Sequence, residues 1–422
     1  MKILILGGGG REHAIISKLA KSRHKPQLFC APGNGGIASI ATCVPIKATD
    51  VTTIRDWAVE NAMDFVVVTP DDPLALGAVD MIEAADIPCF GPNQAAAKLE
   101  WSKAYSKDFM LRHGIPTAAY ANFTELASAL EHVQSAALPL VVKADGLAAG
   151  KGVVIAHTHD EAVSAVRAAM EGGAFGDSGR HVVIEEFLTG PEVTLLTFCD
   201  GKTIVPMLSS MDHKRIGEGD VGLNTGGMGV IAPSPYYTAE IAAEVQTNII
   251  DRTLVGMQAE GIDFRGCLYF GLMLTPDGVR VIEYNARFGD PETQALMPLL
   301  ESDLLDIFFA CSEGRLAETE VKFAEGHSCC VIMASSGYPE KYPTGFEISI
   351  PNDVNAEVIH AGTTLREGKY YTAGGRVLAV TAVGESAEAA YAAAYAAVER
   401  IGFEGAYYRR DIGKMAMGKS NS

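Results

Sequence analysis

Apolar runs and amphipathic stretches alternate through the first hundred residues of the chain. Short apolar runs predict strands at Lys2–Leu6, Gln27–Cys30 and Phe65–Thr69. Helical spacing of apolar residues predicts helices over Glu12–Ser22 and Leu74–Ala85. This alternation is typical of a doubly wound parallel sheet, which binds ligands beyond the carboxyl ends of its strands. Those ends fall in three loops: Gly7–Gly10, Pro32–Gly36 and Pro70–Pro73.

A different pattern begins after Lys103 and predicts an antiparallel α+β region. Asp200-Gly201 and Pro276-Asp277-Gly278 each separate two apolar runs, which is a strong hairpin signal. The expected elements are helices over Lys103–His113, Asp160–Glu171 and Thr238–Gly261, and strands over Leu138–Lys143, Gly152–His157, His181–Phe187, Thr194–Cys199, Thr203–Met207, Gly266–Thr275 and Val279–Tyr284.

A third segment begins near Gly326. Its predicted elements are strands near Ser328–Ala334 and Arg376–Val383 and an alanine-rich helix over Ala387–Ile401. We therefore expect a multidomain protein of mixed α/β and α+β class. The expected domains are an N-terminal doubly wound parallel-sheet domain over 1–103, a central domain over 104–325 with a lid over about 124–191, and a small C-terminal α+β domain over 326–422.

Composition and charge narrow the possible functions. Hydrophobic residues make up 48% of the 422 residues and charged residues 20%, which is typical of a globular protein. The formal net charge of −18 argues against a nucleic-acid partner, although a local cluster of cations could hold a small phosphorylated ligand. No apolar run reaches the roughly 18 residues of a membrane span, and Met1–Leu6 predicts a strand and not a signal peptide. Eight cysteines without a CxxC pair predict buried reduced thiols in a cytoplasmic protein.

The glycine-rich start of the chain departs from a dinucleotide-binding fingerprint. Counted from Gly7, the Gly-x-Gly-x-x-Gly pattern fails at Glu12, and no acid closes the second strand. The glycines could still bring backbone N–H groups and a helix N-terminus close to a bound anion. A tight turn without a ligand is the alternative.

A second glycine-rich segment departs from the P-loop. Three residues separate Gly146 from Gly150 where four are required, and Gly152 follows Lys151 where Ser or Thr would be needed. Strands on both sides favour a flap over phosphates, with Lys143 as a fixed cation. A flexible hairpin with solvated lysines is the alternative.

Glu185 and Glu186 end an apolar strand that could bind a purine. An edge-strand backbone there could read the base, an apolar side chain could cover the ring, and Glu192 could accept hydrogen bonds from ribose hydroxyls. A solvated strand end is the alternative.

Glu283, Asn285 and Arg287 form the sharpest constellation. Alternation along a strand places the three side chains on one face, about 7 Å apart in succession. A carboxylate and an amide oxygen suit Mg²⁺, and Arg287 could offset charge on a transferring phosphoryl group. A surface ion pair is the alternative, but such a polar row beside Val281 and Ile282 is costly unless something binds it.

Two further polar segments suit a small charged substrate or a mobile surface loop. Asp212-His213-Lys214-Arg215 supplies an acid and cations, and Asn224–Gly229 supplies glycines.

Taken together, these segments resemble the ATP-grasp superfamily and, within it, the phosphoribosylamine–glycine ligase family. The resemblance extends from Gly7 to Gly413, and Arg287–Gln294 is its most specific motif. The other motifs that carry it are Gly9–Ala14, Ala31–Asn34, Lys143–Val153, Asn224–Gly229 and Arg409–Gly413.

The resemblance implies a central ATP-grasp domain and a reaction of de novo purine biosynthesis. ATP, glycine and 5-phosphoribosylamine would give ADP, phosphate and glycinamide ribonucleotide. A carboxylate must become an electrophile before an amine can displace its oxygen, and phosphorylation to glycyl phosphate achieves this without a protein nucleophile. Positioning and charge stabilisation would then carry catalysis.

The resemblance also implies roles for individual residues. Glu283 and Asn285 are expected to bind Mg²⁺ or Mn²⁺, and Arg287 and Lys143 to act in catalysis. Residues expected to bind ATP are Lys103, Lys143, Gly146, Gly150, Lys151, Gly152, Glu185, Glu186, Phe187 and Glu192. Residues expected to contact glycine or the ribotide are Gly9, Arg11, Asn34, Asp212, Lys214, Gly227, Arg287 and Asp290. We expect small-molecule substrates only, with no nucleic acid, no membrane and no obligatory protein partner.

The sequence departs from the family pattern at two places. Gly266–Thr275 carries no acid where many ATP-grasp enzymes have another metal ligand, and Asp71-Asp72 replaces the expected Glu-Ala.

Two rival functions remain. A ribotide carboxylase of the same superfamily should lack Arg287–Gln294 as a unit. A nucleotide sensor without catalytic activity should lose the pair Glu283 and Asn285.

Overall fold

The computed structural model describes residues 1–146, 152–171 and 180–417. The elements of the N-terminal domain are β1 Lys2–Gly7, α1 Gly10–Leu19, β2 Gln27–Pro32, β3 Thr42–Cys43, α2 Val51–Glu60, β4 Phe65–Val68, α3 Asp71–Ala75, α4 Ala78–Glu83, β5 Cys89–Phe90 and α5 Gln94–Trp101. The strands pair in parallel in the order β3-β2-β1-β4-β5. Neighbouring residues of β1, such as Leu4 and Ile5, are buried in different cores, which explains its uninterrupted apolar run.

The structure confirms the predicted parallel sheet and corrects one helix. The stretch predicted as a helix over Leu74–Ala85 contains two short helices, α3 and α4. Gly77 separates them with φ of +77°, a conformation that glycine adopts without steric cost.

A four-stranded antiparallel sheet forms the first part of the central region. Its elements are α6 Lys103–Arg112, β6 Tyr120–Phe123, α7 Leu126–Ser135, β7 Leu140–Ala144, β8 Val153–Ala156, α8 His159–Met170 and β9 Val182–Glu186. The strand order is β6-β9-β7-β8. The expectation of an edge strand at Glu185 is therefore wrong, because the short strand β6 pairs with β9 on the side away from β7. Free backbone begins only after Glu186.

A nine-stranded sheet joins the rest of the central region to the C-terminal region. The strands that the central region contributes are β10 Glu192–Asp200, β11 Ile204–Asp212, β14 Gly229–Ala232, β15 Arg265–Thr275 and β16 Gly278–Asn285. The other elements of this region are β12 Arg215–Gly217, β13 Val221–Asn224, α9 Ala239–Val245, a π-helical segment Gln246–Ile250, α10 Asp251–Ala259, α11 Glu292–Leu296 and α12 Leu304–Glu313. Both predicted hairpins, β10 with β11 and β15 with β16, are confirmed.

The C-terminal strands continue the same sheet. The elements here are β17 His327–Ser335, β18 Glu347–Ile348, β19 Glu357–His360, β20 Thr363–Arg366, β21 Lys369–Thr372, β22 Arg376–Gly384, α13 Ala387–Val398 and β23 Ala406–Tyr407. The order β16-β15-β10-β11-β14-β17-β22-β19, with β23 beside β17, carries one sheet across the expected domain boundary. The residues of the central and C-terminal regions are thereby held in a fixed relation.

Two further features agree with the composition. All eight cysteines are free thiols, and only Cys43 is not fully buried. Among the described helices, none combines the length and the apolar character required to cross a membrane.

Candidate active site

One row of residues across the nine-stranded sheet forms the floor of the site. Glu283 of β16 pairs with Gly271 of β15, and Gly271 pairs with Thr194 of β10. A Cβ at Gly271 would lie 3.3 Å from Glu283 Cγ and 3.6 Å from the ring of Tyr269, so a larger side chain there would crowd Glu283. β15 contains no acid, so it adds no carboxylate to this row.

A β-bulge orients the metal-ligand candidates. The pairing of β15 with β16 shifts between Leu272–Val281 and Gly271–Glu283, so Ile282 is an extra residue. Val281 and Tyr284 are consequently both buried in the core, while Glu283 is only half-buried. Strict alternation would have placed Val281 and Glu283 on the same face, so the bulge separates a core residue from a site residue.

The Glu283 carboxylate lies in a positive environment. Burial opposes its ionisation, but the charges of Lys214, Lys143 and Lys103, together with Arg287, hold its pKa below the ordinary value. In the described part of the chain no ion pair within 4.0 Å involves Glu283. An ionised carboxylate that is not already paired, beside the Asn285 amide oxygen, fits a hard divalent cation.

Three lysines, which we call the lysine cluster, line one side of this floor: Lys103, Lys107 and Lys143. Glu185 is 4% exposed, and its two carboxylate oxygens form ion pairs with Lys107 Nζ at 2.9 Å and Lys143 Nζ at 2.8 Å. Lys103 Nζ donates to the carbonyl of Gly146 at 2.7 Å. Burial lowers the pKa of Lys103, and it lowers that of Lys107 to about 8 against the opposing charge of Glu185.

The structure gives the Glu185 carboxylate a role that the sequence did not indicate. Its side chain holds two lysines in place and its backbone lies between β6 and β7, so neither is free to bind a base. Lys107 was missed because a single lysine on an amphipathic helix has no distinguishing pattern.

Arg287 lies between the metal candidates and a buried acid. Its Nε is 3.1 Å from Glu100 Oε1, and its Nη2 donates to Asn285 Oδ1 at 3.3 Å. Glu100, on α5, also accepts the Ala286 N–H, and burial raises the pKa of its carboxyl. Sequence analysis missed Glu100, which stands in an unremarkable helical stretch.

The first domain contributes Arg11 and Gly9 from the turn into α1. Arg11 donates to the carbonyl of Phe288 at 3.1 Å, and its backbone N–H donates to Asp290 at 3.3 Å. The Gly9 N–H donates to Glu12 at 2.6 Å. This turn and the Arg287–Gln294 segment therefore lie against each other.

Asn34 is engaged within the protein. Its amide nitrogen donates to the carbonyls of Gly8 and His360, both at 2.9 Å, and its amide oxygen accepts two backbone N–H groups. This side chain shapes the loops beside the site, and its contact with a substrate stays a prediction.

The far side of the floor contains Asp212, Lys214 and Gly227. Lys214 Nζ pairs with Glu192 at 2.6 Å, which links the expected ribose and substrate residues. Gly227 has φ of +107°, and a Cβ there would lie 2.7 Å from Asp212 Oδ1. The close approach of this loop to Asp212 therefore requires glycine.

Arg376 of β22 reaches into the site from the C-terminal region, and sequence analysis missed it. It pairs with Asp290 at 3.2 Å and donates to the carbonyls of Gly226 and Asp290. The sequence could not reveal this contact, because the two segments are far apart along the chain and meet only through the continuous sheet.

The remaining predicted nucleotide residues are only partly described. Gly150 and Lys151 lie outside the described residues. The Gly152 carbonyl accepts the Ala144 N–H at 2.8 Å, which closes the β7–β8 ladder. Glu186 accepts the Ala119 N–H at 2.9 Å, and Phe187 follows β9 directly.

Family models match almost the whole chain. The N domain of phosphoribosylglycinamide synthetase matches residues 1–100, its ATP-grasp (A) domain residues 101–293 and its C domain residues 328–415. Among curated relatives, the phosphoribosylamine–glycine ligase of Clostridium acetobutylicum is 44% identical over 98% of this chain and 100% of its own length. That of a Nostoc species is 48% identical over 98% of this chain and 99% of its own length.

Solved structures are similar in fold. The crystal structure of phosphoribosylamine–glycine ligase from Thermotoga maritima matches with a TM-score of 0.87 and 33% identity, over 98% of this chain and 100% of that one. A biotin carboxylase from Campylobacter jejuni matches with a TM-score of 0.77 at 15% identity, over 98% and 94% of the two chains, which shows a shared fold alone.

Proposed function

The chain belongs to the phosphoribosylglycinamide synthetase family and is an ATP-dependent carboxylate–amine ligase of purine biosynthesis, and on this premise we propose that it works through glycyl phosphate. In the first step a glycine carboxylate oxygen attacks the γ-phosphorus of ATP. The bond from that phosphorus to the β–γ bridging oxygen breaks, and ADP leaves. In the second step the amine of 5-phosphoribosylamine attacks the acyl carbon, loses a proton, and inorganic phosphate leaves as the amide forms.

The lysine cluster supports the first step. Lys103 donates to the carbonyl of Gly146, three residues after Lys143, and Glu185 keeps Lys143 oriented before ATP arrives. Fixed cations stabilise the charge that moves onto the leaving phosphate without reorganising during the reaction.

Glu283 and Asn285 fit a divalent cation, Mg²⁺ or Mn²⁺. When bound, it would neutralise charge on the β- and γ-phosphate oxygens. The side chains themselves provide one anionic and one neutral oxygen, with Arg287 held beside Asn285 by Glu100.

Arg287 would serve the acyl phosphate. Glu100 opposes its charge from one side, and the guanidinium is also 6.0 Å from the ring centroid of Tyr269. A guanidinium fixed in this way presents its donors to phosphoryl oxygens in both steps.

This proposal rests on the Glu283 carboxylate, which forms no ion pair within 4.0 Å with any described residue. The charges of Lys214, Lys143, Lys103 and Arg287 act on it. Such a balance suits a metal–triphosphate complex better than a structural ion pair. We place the reaction in the cytoplasm, without an obligatory protein partner.

The direct experiment measures ADP release from ATP with glycine and freshly generated 5-phosphoribosylamine. We expect release that depends on glycine and is not supported by other amino acids. Glycine-independent release with bicarbonate would favour a carboxylase, and ATP binding without release would favour a sensor. Trapping glycyl phosphate as glycine hydroxamate with hydroxylamine tests the intermediate.

A further inference from the structure

The Arg409–Gly413 segment carries part of the family resemblance, but the proposed steps give it no role. Arg409 follows β23 by two residues, and its side chain is only 1% exposed. A buried guanidinium is costly unless its charge and its N–H donors are matched by partners. The partners of Arg409 therefore indicate what its burial achieves.

Two carboxylates and one carbonyl surround the Arg409 guanidinium. Its Nε and Nη2 donate to the two oxygens of Asp411, at 2.8 Å and 2.7 Å, in a bidentate pair. Its Nη1 donates to Asp220 Oδ1 at 2.7 Å and to the carbonyl of Arg215 at 2.9 Å. Asp220 and Arg215 belong to the β12–β13 hairpin of the central region, so the guanidinium joins two distant segments. We call Arg409, Asp411 and Asp220 the arginine anchor.

Two further bonds tie the tip of the hairpin to the same C-terminal segment. The Gly219 N–H donates to Asp411 Oδ2 at 2.8 Å. The Arg410 N–H donates to Glu218 Oε1 at 2.9 Å. All of β13 is exposed, so this strand buries little apolar surface of its own. The position of the hairpin therefore depends on its polar contacts with the C-terminal segment.

The base of the hairpin carries Lys214 and Gly227 of the candidate site. The carbonyl of Lys214 accepts the N–H of Thr225 at 2.8 Å and its hydroxyl at 2.9 Å. The same hydroxyl accepts the Gly227 N–H at 3.0 Å. Arg215, the residue after Lys214, is the one whose carbonyl Arg409 holds. The arginine anchor thus fixes the backbone directly beside Lys214.

We propose that the arginine anchor positions Lys214 for the small-molecule substrate that this lysine contacts. The inference rests on the proposed function, in which Lys214 contacts glycine or the ribotide. A lysine ammonium stands on a flexible four-carbon stem, so its placement depends on a fixed backbone. Arg409, Asp411 and Asp220 are then positioning residues, which act through Lys214.

Asp220→Asn is the sharpest test of the arginine anchor. Asparagine keeps the shape of the side chain and tolerates the positive φ of 56° at this position, and the half-exposed site should preserve the fold. The variant removes the charge that Arg409 meets on the hairpin. For the substrate whose kcat/KM falls in Lys214→Ala, we expect kcat/KM to fall about tenfold in Asp220→Asn, as for one hydrogen bond between charged groups. The KM for ATP should change less than twofold.

Two companion variants complete the series. Asp411→Asn removes the other charge of the arginine anchor and should show the same pattern, so it decides the question if Asp220→Asn does not fold. Asp353→Asn breaks the exposed pair of Asp353 with Arg400, which lies elsewhere in the C-terminal region, and should match the wild type.

A double-mutant cycle with Lys214→Ala separates positioning from a general loss of stability. If the arginine anchor acts through Lys214, Asp220→Asn costs about tenfold in the wild type and less than twofold in Lys214→Ala. Equal losses in both backgrounds would overturn the inference, and so would a Lys214→Ala variant with normal kinetics for both substrates.

Hydrogen exchange separates this inference from the proposed function. Exchange of the Thr225 N–H, which reports on the backbone of Lys214, should be about tenfold faster in Asp220→Asn. Unchanged exchange in the folded variant would overturn the inference even in an active enzyme. Faster exchange in a protein whose wild type releases no ADP with glycine would support the anchor and contradict the proposed function alone.

Discussion

The lysine cluster lies on one side of the sheet floor and the acids Asp212 and Glu292 lie on the other, and the two groups differ in how their charges are balanced. Lys107 and Lys143 share the single negative charge of Glu185, and Lys103 donates to a carbonyl. Asp212 and Glu292 have no ion-pair partner among the described residues. Under the proposed function, the lysine cluster is organised before phosphates bind. We therefore expect the phosphates at the lysine end of the floor, with Glu283 between them and the two acids.

The largest effect is expected from Glu283→Gln, which removes the charge between the two groups. Size and one oxygen are kept, so the fold should survive, but charge on the phosphates would be balanced less well in the transition state. We expect turnover to fall roughly 10²-fold or more. Glycine-dependent ADP release and the thermal midpoint should be measured together. A folded variant with near-normal turnover at saturating Mg²⁺ would end the metal-ligand assignment.

Lys143→Ala tests whether the lysine cluster serves ATP. Loss of a charged donor should lower kcat/KM for ATP about 30-fold, as expected for a hydrogen bond to a charged group. The KM for glycine should change little, because Asp212 and Lys214, which are expected to contact glycine or the ribotide, are untouched. Lys98→Ala on α5 is a matched control, since the Lys98 ammonium lies over the half-buried rings of Trp101 and Tyr105 and forms no ion pair with Glu185. Equal loss for both substrates would mean that the two groups are not separate.

Arg376→Lys tests whether the C-terminal region positions Asp290 and the segment Asn224–Gly229. A lysine keeps the charge but cannot contact Asp290 and the Gly226 carbonyl together, so the glycine-rich segment Asn224–Gly229 should be held less firmly. We expect kcat/KM for glycine to fall about tenfold, a loss of one or two hydrogen bonds, with the KM for ATP unchanged. Arg366→Lys, on the exposed end of β20, serves as the control. A parallel rise in both KM values would indicate general destabilisation instead.

Local patterns predicted the parts of the site that lie close together in sequence. Arg287 contacts Asn285 at the end of β16, and its charge helps to lower the pKa of Glu283 on the same strand. The two hairpins follow from turn residues such as Gly201, whose φ is +83°. The parallel sheet follows from apolar runs that need cover on both faces.

Contacts between distant segments could not be predicted in this way. Glu100 meets Arg287 across 187 residues of chain, and Arg376 meets Asp290 across the joined sheet. Periodicity shows which face of an element is buried, but it does not show which element covers that face. The bulge at Ile282 shifts the alternation itself, so a strict period-two pattern assigns Val281 to the wrong face.

The smallest effect is a pH dependence confined to the lysine cluster. Burial lowers the pKa of Lys107 from 10.5 to about 8, against the charge of Glu185. Below pH 8 Lys107 is charged and shares Glu185 with Lys143, whereas above pH 8 neutral Lys107 leaves Lys143 as the charged partner of Glu185. Lys143 should then be held more firmly by Glu185 and less by phosphate, so the KM for ATP should rise about threefold between pH 7 and 9. The folded state binds fewer protons than the unfolded state between pH 8 and 10.5, so this group makes stability rise, not fall, over that range, and its titration cannot act on KM by unfolding the protein. Lys107→Met should show the high KM at every pH. The same rise in KM in wild type and Lys107→Met would assign the titration to another group.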